Sequence, residues 1–270
     1  MRLAMLLTAC LMGAACTSAG PGGHSTMEIR AFRERPPPTE EVLRGWASQF
    51  TAGSFTSRNG MTIPYRILGH PAGSAPLPLV FVLHGSGAMG TNNRSQLGPF
   101  GASWANVAGR AIVVVPQVAS RSANYRRGKD GLPESMPGPS FVALLELIDA
   151  RMADAGVDRA RVHLVGFSMG GSAALQVALH RPGSFASVVS FSPVPPPRSQ
   201  ATALARQELT LVHGDADTEN PFAADAAWVE ALRGAGGQPH FVVYRGMGHQ
   251  VPDDMLHAAD WRLAMTAAKP

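Results

Sequence analysis

Apolar residues in this chain gather in short unbroken runs, and between the runs they recur every three or four positions. The runs at 79–83 and 112–115 are wholly apolar, which predicts strands covered on both faces, and those at 162–167, 187–191, 209–212 and 241–244 are mostly apolar and predict further strands. Residues 61–67 alternate weakly and predict an edge strand. Residues 141–152 place Val142, Leu145, Ile148 and Met152 near helical spacing, and 169–179, 222–232 and 254–265 follow the same pattern. Strands separated by helices of this length predict βαβ units, hence a mostly parallel sheet with helices on both faces. Residues 117–140 have no period and are rich in Gly, Pro, Ser and Arg; they predict a long loop beside a functional site.

The first residues follow a different rule. Met1-Arg2 is a short positive start, and 3–15 is small and apolar. At about 13 residues this run falls short of the ~20 that span a bilayer, and it predicts a signal peptide over 1–19. Cys10 and Cys16 both stand where a lipoprotein signal places its lipidated cysteine. The expectation is therefore export, as a membrane-anchored lipoprotein or a secreted or periplasmic protein. Residues 20–54, with Gly20-Pro21-Gly22-Gly23 and Pro36-Pro37-Pro38, predict a flexible tether interrupted by a short helix at 41–50. The folded body is then 55–270.

Composition narrows the functional classes. Among 270 residues, 45% are hydrophobic and 16% charged, too apolar for a disordered chain. The two cysteines stand outside the body, so neither a disulfide scaffold nor a cysteine zinc site is expected. Net charge is +4, and the one basic cluster, Arg121, Arg126, Arg127 and Lys129, has only Tyr125 interleaved; nucleic acid is not an expected partner.

The chemistry concentrates at Gly166-Phe167-Ser168-Met169-Gly170-Gly171. A strand leads into it and a helix of small residues leaves it, the setting in which a tight turn lifts a serine hydroxyl above the sheet. A serine hydroxyl needs a base, and the base needs an orienting carboxylate. Both belong beyond the carboxyl ends of later strands, in the order Ser, acid, His. His249, in Gly248-His249 after the last strand, fits the base. His240 precedes that strand, and His257 falls in a helix. Asp215, Asp217 and Glu219 share the loop after 209–212 and compete on position for the acid. The oxyanion needs two amide donors: Met169, next to the nucleophile, and Ser86, in His84-Gly85-Ser86-Gly87 after the strand at 79–83. His84 is expected to hold that loop in shape. Arg126 and Arg127, in the aperiodic 117–140 stretch, are candidates to attract an anionic group on the substrate.

Residues 61–252 resemble α/β-hydrolases of the phospholipase/carboxylesterase and "predicted peptidase" type, relatives of dienelactone hydrolase. The matching motifs are His84-Gly85-Ser86-Gly87, Gly90-Thr91-Asn92-Asn93 through Gln96-Leu97, and Val115-Pro116-Gln117. Gly166–Gly171, His213-Gly214-Asp215-Ala216-Asp217 and Gly248-His249 complete the set. The resemblance implies the α/β-hydrolase fold and makes Asp217, last in the H-G-x-x-D motif, the acid. It implies a serine carboxyl-ester hydrolase with a small-molecule ester substrate and no metal or organic cofactor. A peptidase or amidase using the same three residues, and a silent lipoprotein binding module, are the alternatives. Two departures stand out: Ser168 replaces the cysteine of dienelactone hydrolases, and Gln250-Val251-Pro252 follows His249 where many relatives carry an aromatic residue.

Overall fold

The computed structural model describes residues 26–69 and 75–267; the expected export signal at 1–19, with Cys10 and Cys16, lies outside them. In chain order the elements are β1 (Met27–Ala31), α1 (Glu40–Ala47), β2 (Thr51–Thr56), β3 (Thr62–Leu68), β4 (Leu77–Leu83), α2 (Pro99–Ala102) and β5 (Ile112–Pro116). A hairpin of β6 (Ala123–Arg127) and β7 (Pro133–Pro137) precedes α3 (Phe141–Met152), β8 (Val157–Phe167), α4 (Met169–His180), β9 (Ser187–Phe191) and α5 (Ala201–Leu204). The chain continues through β10 (Leu209–Gly214), α6 (Phe222–Gly234), β11 (His240–Arg245), α7 (Asp253–His257) and α8 (Asp260–Thr266).

Among the described residues nine strands form one sheet, in the order β1-β11-β10-β9-β8-β4-β5-β3-β2. Only β2 with β3 and β3 with β5 run antiparallel. The continuous apolar runs explain the two-sided burial, because successive side chains point to opposite faces. Leu79, Phe81, Leu164 and Leu211 join α3, α4 and α6 on one side. Val80, Val82, Val165 and Val212 join Trp104, Met255 and the partly buried Trp46 of α1 on the other. Since β4, β8, β10 and β11 run parallel to one another through the sheet, their carboxyl ends, and the loops carrying the chemistry, share one edge.

Four expectations change. Residues 117–140 are not a bare loop, because β6 and β7 pair in register, Arg126 opposite Glu134. Their polar, proline-rich strands hide the pattern, and the hairpin is fixed to the body by Ser135 N–H on Pro195 O (2.8 Å) and Gln176 Nε2 on Ser135 O (2.9 Å). The strand expected at 162–167 starts at Val157, in a polar stretch without an apolar signal. The helix expected at 254–265 is broken at Ala258, which is extended. Finally, residues 27–54 are not a free tether. Strand β1 pairs in parallel with β11, β2 pairs with β3, and Leu43 and Trp46 of α1 pack on the core. Strand β1 is short and half exposed, so its burial pattern leaves only a faint trace in the sequence.

The break between α7 and α8 is filled by Arg262, which is fully buried. It donates to the carbonyls of Ala258, Met255 and Leu256 at 2.9–3.0 Å and to Ser103 Oγ at 2.8 Å. Its guanidinium lies 5.4 Å from the Trp104 ring and 4.9 Å from that of Trp261. Burial pulls its pKa down to about 10. Arg262→Ala empties this space and strands three carbonyls, so stability should fall by about 3 kcal/mol. In a thermal melt this lowers Tm by roughly 6–12 °C.

Candidate active site

The turn after β8 is closely packed. Ser168 has φ 56° and ψ −120°, a region a side chain enters only when its surroundings enforce it. A Cβ on Gly166 would strike the backbone carbonyl of Gly170, and one on Gly170 would strike that of Leu83. Bare glycine at both positions lets β8, the turn and β4 close together. The Ser168 amide donates to Phe191 O at 2.8 Å, tying the turn to β9. The hydroxyl, thus raised above the carboxyl edge, lies 2.8 Å from His249 Nε2. His249 Nδ1 in turn lies 2.7 Å from Asp217 Oδ2. Asp217 is therefore selected from the three acids of its loop. Asp215 instead accepts the Gly246 amide at 2.7 Å, and Glu219 is mostly exposed.

Beside this chain runs the loop after β4. Gly85 approaches closely enough that a Cβ there would lie 3.4 Å from Ser168 Cβ. His84 is buried, and its Nε2 accepts the Val118 amide at 3.1 Å. The ring proton is consequently on Nδ1, donated to Gly85 O at 2.7 Å. Burial pushes the His84 pKa down, consistent with a neutral structural ring. Buried Gln117 completes the lock, accepting the Asn93 amide at 2.6 Å and donating to Ala88 O and Asn92 Oδ1 at 3.1 Å. Ser86 opens the short 3₁₀ turn of this loop, and Met169 opens α4, so both amides stand at turn starts, where helical N–H groups have no acceptor within the helix.

Residues 134–266 match the phospholipase/carboxylesterase family. Over 230 residues the chain is 28% identical to the candidate esterase NocK of Nocardia uniformis subsp. tsuyamanensis, covering 82% of this chain and 65% of NocK. The fold superimposes on a thermostable esterase with a TM-score of 0.65 at 23% identity, over 74% of this chain and 56% of that one. The S-formylglutathione hydrolase FrmB of Staphylococcus aureus gives a TM-score of 0.59 at 15% identity, over 81% and 98%. The chain has the α/β-hydrolase fold. It spans about two thirds of the length of NocK and just over half that of the thermostable esterase.

In this fold Asp217 is held by more than His249. Asp217 Oδ1 accepts the amides of Glu219 and Asn220, both at 2.9 Å. Its Oδ2 faces a second imidazole, His213, at 3.1 Å. His213 Nε2 also faces Asn220 O at 3.0 Å, so that nitrogen must carry a proton. Its Nδ1 meets Asp225 of α6 at 2.7 Å, and all three side chains are fully buried. Burial pulls the His213 pKa down, but attraction to Asp225 and hydrogen bonds to both acids outweigh it and raise the value to about 9. Burial pushes Asp225 up against the pull of His213; between them the pair keeps one proton through neutral pH. Burial also opposes the charge on Asp217, yet the donors from His213, His249 and Asn220 hold its pKa far below the carboxylate range.

Sequence reasoning passed over His213 as a motif residue and did not single out Asp225. The signal for Asp225 was present: it stands three, four and seven positions before Trp228, Val229 and Leu232, on the buried stripe of α6, where an acid demands a partner. Arg126 and Arg127 correct in the other direction. Arg126 is spent on Glu134 across the hairpin at 3.1 Å. Arg127 is exposed, and neither lines the cleft beside His249.

A proton bound more tightly in the folded than in the unfolded state stabilises the fold. The contribution of His213 should be complete below its ordinary pKa of 6.5 and be lost as pH rises through about 9. Melts from pH 6 to 10 should show this loss in the native protein, with its midpoint shifted toward neutrality in Asp225→Asn. Profiles that superimpose would mean the pair carries no such charge.

Proposed function

We propose that this α/β-hydrolase is a serine carboxyl-ester hydrolase acting on small-molecule esters through an acyl-enzyme. The observation that carries the reading is the unbroken chain Ser168 Oγ–His249 Nε2 (2.8 Å) and His249 Nδ1–Asp217 Oδ2 (2.7 Å), set on a strained turn beside the loop of Ser86. The comparisons with esterases support the same chemistry.

In this mechanism Ser168 Oγ attacks the ester carbonyl carbon while its proton passes to His249 Nε2. The carbonyl oxygen becomes an oxyanion facing the amides of Ser86 and Met169. Collapse breaks the bond to the alcohol oxygen, which leaves with the proton from Nε2, and Ser168 carries the acyl group. Water then attacks the acyl carbon, its proton goes to Nε2, and the acid departs as Nε2 reprotonates Ser168. One water is consumed and the enzyme is restored. Asp217, with its four donors, stays ionised throughout; its part is to hold the tautomer of His249 and stabilise the imidazolium. The expected export places this activity outside the cytoplasm, a reading that rests on the apolar run at 3–15 and the two cysteines.

Hydrolysis of p-nitrophenyl esters, a feruloyl ester and a peptide anilide by the intact chain tests the proposal. Esters should be cleaved, and Ser168→Ala should lower kcat by about 10⁴-fold or more. Activity surviving that substitution would refute the mechanism. Faster turnover of the anilide than of the esters would move the protein to the amidase class.

A further inference from the structure

The amino-terminal segment crosses the molecule. Strand β1 lies at one edge of the nine-stranded sheet and β2 at the other, so residues 32–50 travel from edge to edge. Strand β1 runs parallel to β11, and its carboxyl end therefore emerges on the edge that bears His249. From there Phe32 packs on the core, and the Arg35 amide donates to Asp253 Oδ2 of α7 at 2.8 Å. Pro36-Pro37-Pro38 stiffens the next step, and α1 docks through Leu43 and Trp46. The strap is anchored at both ends and in its middle.

Beneath it opens a cleft of about 530 Å³ that reaches His249 and the loop of Gly85. Its lining includes Pro37 of the strap, Phe100, Phe167, Val251 and Leu256. Its polar lining includes Glu34, Arg35, Gln250 and Asp253, and Gln96 Oε1 is buried without a hydrogen-bond partner. His84 has both ring nitrogens bonded, Gln96 donates to Asn93, and Ser95 is bonded to Asn92. The surface beside His249 is nonetheless mostly carbon, which favours an apolar ligand. On the other side of the base, the Glu219 carboxylate lies 3.8 Å from His249 Nε2, is 73% exposed and does not line the cleft. Nε2 must deliver its proton to the leaving alcohol, so the open, acidic side suits the alcohol and the walled apolar side suits the acyl chain.

We infer that the strap at residues 32–38 forms a wall of the acyl site and that this site takes medium-chain aliphatic acyl groups. The inference rests on the ester-hydrolase reading for its substrate, but not for its geometry. A methylene fills about the space of a water, ~30 Å³, so the cleft holds a chain on the order of ten carbons with room for the ester head.

The test measures kcat/KM for p-nitrophenyl esters from acetate to palmitate with the intact chain, Pro37→Gly, Asp253→Ala and Leu256→Trp. In the intact chain kcat/KM should climb about fourfold per methylene, the equivalent of ~0.8 kcal/mol of transfer, and fall again by palmitate. Pro37→Gly and Asp253→Ala, which loosen the wall, should lower the octanoate-to-acetate ratio about tenfold, and Leu256→Trp should move the optimum to shorter chains. A ratio unchanged in all three variants, or a feruloyl ester preferred over every aliphatic one, overturns the inference. If no ester is cleaved, labelling of Ser168 by alkyl fluorophosphonates of increasing length decides separately. Rates that grow with chain length in the intact chain and flatten in Pro37→Gly uphold the cleft while the ester reading fails; rates independent of length refute the cleft as well.

Discussion

Everything at the carboxyl edge depends on how Ser168 is held. With φ at 56°, the residue stores strain that the turn alone would release by relaxing. Relaxation is blocked on three sides: β9 holds the Ser168 amide, the backbone of β4 presses against Gly170, and α4 continues directly from Met169. The position of β8 in the middle of the sheet, between β4 and β9, makes this possible. An edge strand would have a neighbour on one side only, and the turn could swing away. Once the serine is fixed, the neighbouring strands bring the donor loop on one side and the acid and base on the other.

The second constraint is electrostatic. An ionised carboxylate as buried as Asp217 is costly unless every lone pair is met. Here two amides and two imidazole N–H groups meet them. One of those imidazoles, His213, is itself fully buried and needs an acceptor for its other nitrogen, which Asp225 supplies. Asp217 thus belongs to a four-member chain, His249–Asp217–His213–Asp225, and the strand, the loop of Asp217 and α6 are held together by it. Asn220 adds a link, since its side chain donates to Ser192 O at 2.7 Å and so binds the acid loop to the end of β9.

The sheet and the core chemistry were legible because their signals are local. Continuous apolar runs announce strands buried on both faces, and Ser168, Asp217 and His249 each follow one of them. The H-G-x-x-D resemblance separated Asp217 from Asp215 and Glu219, which position alone could not. What escaped were features whose meaning lies in a partner distant in sequence. Strand β1 exists because β11, more than 200 residues later, offers a free edge. Strands β6 and β7 exist by pairing with each other, and Arg126 looked available only because Glu134 could not be seen opposite it. Asp225 stands in a helix outside any motif, and its partner His213 lies 12 positions earlier on β10.

The same contrast explains how the segment at 32–38 borders the site. Glycine and proline runs mark a chain that cannot form regular structure by itself, and between two free ends they would be flexible. Between β1 and α1, both docked, a proline run is instead stiff and of nearly fixed length. Its path is dictated by the topology. A chain that must pass from one edge of a parallel sheet to the other, starting at the carboxyl end of an edge strand, has the loop edge immediately before it. That edge also bears Ser168 and His249. The enclosure of the cleft therefore follows from two pairings at opposite edges of the sheet, β1 with β11 and β2 with β3, neither of which touches the reacting atoms.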